Sequence, residues 1–213
     1  TAGIVLDTLS FIETRKINSN DTIQEIKEIF YQSPTVIFTS MNAVEAIADQ
    51  QHLYQLNWTI YCIGNTTKQL VEKYFGDKSI AGTANSASEL AQLITEDKHV
   101  EEVIFICGDQ RRDELPAILR SKKVRVKEIV VYQTLSTPHI VEKNYSGILF
   151  FSPSAAESFF STNKIDEETT LFAIGTTTAA ELKKYSCNKI ITSNKPGKEN
   201  LVRQMIDFYT LSE

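Results

Sequence analysis

The sequence predicts an α/β protein built from two similar domains. Each is a parallel sheet in a three-layer arrangement with helices on both faces. Three observations lead there. Short apolar runs alternate with amphipathic segments almost throughout. Blocks of residues recur in the same order about 111 residues apart. Two extended, β-branched stretches, 12–17 and 129–136, stand where the chain passes from one half to the other.

The alternation predicts the elements in order. Residues 36–39 read as a strand, and 42–51 as a helix with Ala43, Val44, Ala46, Ile47 and Ala48 at helical spacing. Residues 59–63 are a strand, and 68–75 carry Leu70, Val71, Tyr74 and Phe75 on one face. Residues 86–95 repeat that pattern with Ala87, Leu90, Ala91 and Ile94. A strand over 103–107 and a helix over 113–120 follow. The pattern returns with strands at 148–151, 171–174 and 189–192, and helices at 155–160, 179–185 and 199–209.

The repeat pairs Phe38-Thr39-Ser40-Met41-Asn42-Ala43 with Phe150-Phe151-Ser152-Pro153-Ser154-Ala155. It pairs Cys62-Ile63-Gly64-Asn65-Thr66-Thr67 with Ala173-Ile174-Gly175-Thr176-Thr177-Thr178, and 80–90 with 191–201. Three blocks in one order at a near-constant offset indicate two copies of one unit. Residues 124–129 resemble 4–9, and in the later copy they follow a strand, Gly108, an arginine pair and a helix. The earlier copy has no such partner, so a further strand and helix are expected upstream of Thr1. The expected plan is a discontinuous domain 1 (1–11 plus 137–213), connector strands 12–17 and 129–136 forming a two-stranded β-ladder, and an inserted domain 2 (18–128).

Composition narrows the function classes. Of 213 residues, 42% are hydrophobic and 23% charged, with a net charge of −5. Wholesale electrostatic binding to nucleic acid or an acidic membrane surface is disfavoured, and a polyanionic ligand must be met by local donors. No apolar run approaches the roughly 18–20 residues of a membrane span. No leader pattern is evident, so a cytoplasmic protein is expected, and a monomer. Cys62, Cys107 and Cys187 are far apart, and His52, His99 and His139 stand singly among polar neighbours. That spacing suits buried or idle thiols and no metal site.

In an open parallel sheet, ligands bind beyond the carboxyl ends of the strands, beside helix N-termini. Five such turns are rich in Gly, Ser, Thr or Asn. They contain Thr39, Ser40 and Asn42; Gly64, Asn65 and Thr67; Gly108 with Arg111 and Arg112; Ser152 and Ser154; and Gly175, Thr177 and Thr178. Free N–H groups and the helix dipole make such turns anion sites, and hydroxyls add donors. The same residue types are also ordinary N-caps. An arginine after Gly108 could pair with a carboxylate; Arg111 is the candidate, with one of Arg111 and Arg112 facing a ligand. Tyr132, in Val131-Tyr132-Gln133-Thr134, could give or polarise a proton or simply pack. No Walker loop, dinucleotide glycine fingerprint or nucleophile elbow occurs.

These blocks together resemble the uroporphyrinogen-III synthase family. The resemblance rests on Phe38-Thr39-Ser40, Ile63-Gly64-Asn65-Thr66-Thr67, Cys107-Gly108 followed by Arg111-Arg112 and Leu115-Pro116, Val131-Tyr132-Gln133-Thr134, Phe150-Phe151-Ser152-Pro153-Ser154 and Gly175-Thr176-Thr177-Thr178, in family order. It spans Phe38 to the end of the chain. It implies two domains joined by a β-ladder around a cleft. It implies cyclisation of hydroxymethylbilane, a linear tetrapyrrole, to uroporphyrinogen III with inversion of ring D and loss of water, without a cofactor. It also implies that Tyr132 helps the hydroxyl leave. The family's first strand ends in an arginine-containing turn that has no counterpart in this chain. The alternative is a non-enzymatic two-lobed binding protein for a small polyanionic ligand.

Overall fold

The computed structural model describes residues 3–51, 56–195 and 197–210. The chain divides into two compact units, Thr14–Thr134 and a discontinuous one of Thr1–Glu13 with Leu135–Glu213.

In the continuous unit the elements run β1 (Ile12–Lys16), α1 (Asn20–Phe30), β2 (Thr35–Phe38), α2 (Met41–Gln51), β3 (Thr59–Ile63), α3 (Asn65–Phe75), a 3-10 turn at Asp77–Ser79, β4 (Ile80–Ala84), α4 (Ala87–Glu96), β5 (Glu102–Gly108), α5 (Glu114–Ser121) and β6 (Arg125–Ser136). The first residues of β1 and the last two of β6 cross into the other unit. The sheet order is β1-β6-β5-β2-β3-β4. All pairs from β6 to β4 are parallel. β1 runs antiparallel to β6, since Ile17 N–H donates to the Val131 carbonyl and Thr137 N–H to that of Phe11. Successive strands β2, β3 and β4 grow the sheet one way, and β5 then returns to the other side of β2. The β2/β5 boundary is thus a topological switch point, where loops leaving neighbouring strands part and open a crevice.

Period-two alternation splits the apolar residues between two faces. Val36, Phe38, Ile60, Cys62, Ile104 and Ile106 join α1, α2 and α3 in one core. Ile37, Tyr61, Val103, Phe105 and Cys107 join α4 and α5 in the other. α1 starts because the Ser19 hydroxyl accepts the Thr22 N–H, and it buries Ile26, Ile29 and Phe30.

The discontinuous unit contains β7 (Gly147–Phe150), α6 (Pro153–Phe160), β8 (Thr170–Ala173), α7 (Thr176–Leu182), β9 (Ile190–Thr192) and α8 (Lys198–Thr210). Its sheet is parallel, in the order β7-β8-β9. α6 and α7 cover one face, packing Ala156, Phe159 and Leu182 on Phe150 and Leu171 of the sheet, with Phe11 against them. α8 covers the other through Leu201 and Met205. The order β7-β8-β9 repeats β2-β3-β4, and Phe150 pairs with Ala173 as Phe38 pairs with Cys62. The repeat seen in the sequence is a repeat of strand order and register.

Three details differ from the sequence reading. Helix α1 was not anticipated, although Ile23, Ile26, Ile29 and Phe30 lie at helical spacing. Residues 125–136 form one continuous strand, so no break separates an inserted domain ending at 128 from a connector beginning at 129. Residues 4–9, aligned by the repeat with 124–129, form no strand. Val5 is 87% exposed and Leu6 60%. This segment is held instead by Asp7, which accepts from Lys143 Nζ at 3.0 Å and from the Tyr145 hydroxyl at 2.8 Å.

Candidate functional site

The switch point positions the best-organised cluster. β2 ends at Phe38, and Ser40 stands just before α2. The Ser40 Oγ accepts the Asn42 N–H at 3.2 Å, in the first turn of α2. It lies 3.0 Å from the Tyr132 hydroxyl. Tyr132 reaches it because of an irregularity in β6. Cys107 pairs with Val130, but Gly108 pairs with Tyr132, leaving Val131 as an extra residue. Such a bulge re-aims the side chain that follows it. Val130 packs on the α4/α5 face, and strict alternation would send Tyr132 there too. The bulge places Tyr132 beside Val131 on the α1–α3 face.

The ring then lies over Gly108. A Cβ at that position would stand 2.4 Å from Cζ of Tyr132 and 2.7 Å from its oxygen, so only glycine fits. The backbone from Tyr132 to Thr134 is fastened by the β5–α5 turn. Asp109 N–H donates to the Tyr132 carbonyl at 3.1 Å, and Thr134 N–H donates to Asp109 Oδ1 at 2.9 Å. Thr14, Lys16, Asn42, Glu45, Ala46 and Tyr132 line a pocket of about 140 Å³. Sequence reasoning missed Thr14, Lys16 and Glu45. Thr14 and Lys16 are two apart on β1 and so share a face, a signal that appears only once β1 is known to flank β6.

The remaining candidates fall into three groups. At α3 and α7 the N-caps are Gly64 and Gly175, and neither helix has a side-chain cap. Gly64 has φ 83°, a left-handed conformation that favours glycine. Asn65 and Thr66 at the start of α3 are exposed, as are Thr176 and Thr177 at α7. Thr67 and Thr178 occupy the equivalent third positions and are only 5% and 2% exposed, so they face their own sheets. Thr66 and Thr176, absent from the sequence-based choice, are the better-presented hydroxyls. At α6 the Ser152 hydroxyl accepts the Ala155 N–H at 3.1 Å and lies 3.2 Å from Ser154 Oγ, so Ser152 acts as the helix cap. Phe151 beside it is exposed, with Lys198 Nζ 5.6 Å from its ring centre. Thr39 precedes Ser40 and is part-buried.

The third group is the arginine pair. Arg111 is engaged by Glu128, and Arg120 meets the same carboxylate from α5. Arg111 also reaches Asp113 at 3.4 Å. The network binds the β5–α5 turn to β6, which gives Arg111 a structural partner. Arg112 is exposed. Burial pushes the Cys62 and Cys107 thiols up to about 11. Among the described residues no group of His, Cys, Asp and Glu could hold a metal, and no helix is long and apolar enough to cross a membrane. His52 lies outside the described residues.

Comparison with known proteins gives this geometry a context. The family profile described as uroporphyrinogen-III synthase HemD matches residues 2–203. The uroporphyrinogen-III synthase of Saccharomyces cerevisiae is 27% identical over 55% of this chain and 51% of its own length. The chain therefore spans about half the length of that curated relative. The crystal structure of uroporphyrinogen-III synthetase from Helicobacter pylori superposes with a TM-score of 0.67 at 20% identity, covering 93% of this chain and 91% of that one. A mutant uroporphyrinogen III synthase from Thermus thermophilus superposes with a TM-score of 0.65 at 11% identity, covering 95% and 87%. At these identities the superpositions establish the fold, and the profile match over nearly the whole chain establishes the family. The protein belongs to the uroporphyrinogen-III synthase family.

Proposed function

We propose that the chain cyclises hydroxymethylbilane to uroporphyrinogen III, inverting ring D and releasing water, as a cytoplasmic enzyme of tetrapyrrole biosynthesis. The profile match across residues 2–203 carries this reading. The switch-point cluster supplies a chemistry consistent with it. On this reading Tyr132 gives its proton to the terminal hydroxyl while the C–O bond breaks. The oxygen leaves as water, and the adjacent pyrrole nitrogen supplies the electron pair. The proton lost from a ring carbon when the macrocycle closes returns to the Tyr132 phenolate, so no proton is consumed. Most of the acceleration comes from holding the two chain ends in the ring-closing pose.

The substrate carries eight carboxylates, which suit many modest donors. In the continuous unit these are Thr39, Asn42, the Gly64-Asn65-Thr66 helix start, Arg112 and Lys16. In the discontinuous unit they are Ser154, Gly175, Thr176 and Thr177. β1 and β6 serve as the two-stranded ladder joining a discontinuous domain 1 to an inserted domain 2. No cofactor takes part, and the enzyme works as a monomer. The test is incubation with hydroxymethylbilane followed by oxidation and separation of the uroporphyrin isomers. Type III should accumulate with the protein and type I without it; type I alone in both would refute the proposal.

A further inference from the structure

Ser40 and Gly108 lie in turns where a polyanion's carboxylates are expected, and binding is the obvious role for both. The geometry points to a different one. Ser40 Oγ has one N–H already directed at it, from Asn42 at 3.2 Å, and its other near neighbour is the Tyr132 hydroxyl at 3.0 Å. A hydroxyl that accepts from a helix N-terminus has its own proton left to give. Gly108 offers no side chain; it offers room, since a Cβ there would collide with Cζ, Cε2 and the oxygen of Tyr132 at 2.4–2.7 Å. The bulge at Gly108 turns the tyrosine to that face, and Asp109 fastens the strand at Tyr132 and two residues beyond it.

We infer that Ser40 and Gly108 are positioning residues for Tyr132. Ser40 donates to the tyrosine oxygen, Gly108 seats the ring, and the Tyr132 proton is thereby left free to point into the pocket lined by Thr14, Lys16, Asn42, Glu45 and Ala46. Were Tyr132 the donor to Ser40, its proton would be tied up and unavailable for a leaving group. The donation from Ser40 also stabilises the negative charge that grows on the tyrosine oxygen as its proton departs. The inference rests on the proposed cyclisation for its catalytic meaning, but the geometric part stands without substrate.

Two measurements on the free protein come first. With ring-labelled tyrosine, the infrared C–O band of Tyr132, identified by difference against Tyr132→Phe, reports whether the hydroxyl accepts a hydrogen bond. It should do so in the wild type, lose that character in Ser40→Ala and regain it in Ser40→Thr. A stability cycle tests the seat: Gly108→Ala should destabilise the wild type yet be near neutral in a Tyr132→Ala background, where the colliding ring is gone. An accepted hydrogen bond unchanged in Ser40→Ala, or an equal loss from Gly108→Ala in both backgrounds, would overturn the inference.

Kinetics then separate positioning from binding. Ser40→Ala should lower kcat about 3–10-fold, the weight of one hydrogen bond, with KM within about twofold, and Ser40→Thr should restore it. A raised KM at unchanged kcat would make Ser40 a substrate ligand and overturn the assignment. If the wild type forms no type III isomer, the cyclase reading fails, and the infrared and stability results still decide the geometry.

Discussion

Tyr132→Phe is the substitution that isolates the proposed chemistry from the fold. Among the described residues the hydroxyl makes one hydrogen bond, to Ser40 at 3.0 Å, at a part-buried position, and the ring packs against the core shared with α1, α2 and α3. Phenylalanine keeps that packing and the contact over Gly108. The structural cost is one hydrogen bond, about 0.5–1.5 kcal/mol, softened because Ser40 retains the Asn42 N–H. For a chain of this size that lowers Tm by only about 2–4 °C per kcal/mol. The catalytic cost is larger, since general acid assistance contributes roughly 10²–10⁴-fold. The terminal hydroxymethyl group also ionises spontaneously, which places the expected loss near the lower end of that range. The assay is initial-rate formation of type III, with type I measured in the same samples. Slower enzymatic turnover lets spontaneous closure compete, so the type I share should rise. An unchanged rate and isomer ratio in a folded Tyr132→Phe protein would show that the hydroxyl is dispensable and that positioning by the helix-start turns is the whole of the catalysis.

Three further outcomes are expected. Gly64→Ala meets no neighbouring atom, so its cost is conformational alone, about 1–3 kcal/mol for a residue at φ 83° and ψ 151°; an unchanged denaturation midpoint would contradict this. Arg111→Ala should lower stability by leaving Glu128 with Arg120 alone, whereas Arg112→Ala should leave the midpoint unchanged and raise KM. The reverse pattern in urea titrations and kinetics would exchange their roles. The buried Cys62 and Cys107 thiols stay protonated in the fold to about pH 11, while unfolded thiols ionise near 9.0. Their stabilising contribution is therefore complete below pH 9 and lost between pH 9 and 11, about 2–3 kcal/mol for each. Replacing both by alanine should flatten that part of the stability–pH curve, and a curve as steep as the parent's would refute the assignment.

Much of the architecture was legible because buried parallel strands are continuous apolar runs. Val103 to Cys107 and Thr59 to Ile63 could hardly be read otherwise, and their spacing against the helices set the layer order. The repeat was legible because Gly64 and Gly175 punctuate equivalent strand–helix turns. Helix α1 was obscured by its polar composition, since Asn20-Asp21-Thr22 and Gln24-Glu25 dilute an apolar stripe only three or four residues wide. The site was only half legible. Tyr132 could be named, but its direction depends on a one-residue bulge that no alternation pattern reveals. Composition favours Thr67 and Thr178 as readily as their neighbours Thr66 and Thr177, although a single residue step around the helix separates the buried hydroxyl from the exposed one. Nothing in the sequence separates Arg111 from Arg112, because the carboxylate partner of Arg111 lies 17 residues away, on the neighbouring strand.

The most direct test is the type III fraction as a function of protein concentration at fixed hydroxymethylbilane and fixed time. Enzymatic and spontaneous closure then compete within each sample. The fraction should rise from near zero towards unity as protein increases, with no metal or organic cofactor added. A type III fraction that stays at the protein-free level across the whole range would contradict the proposed function.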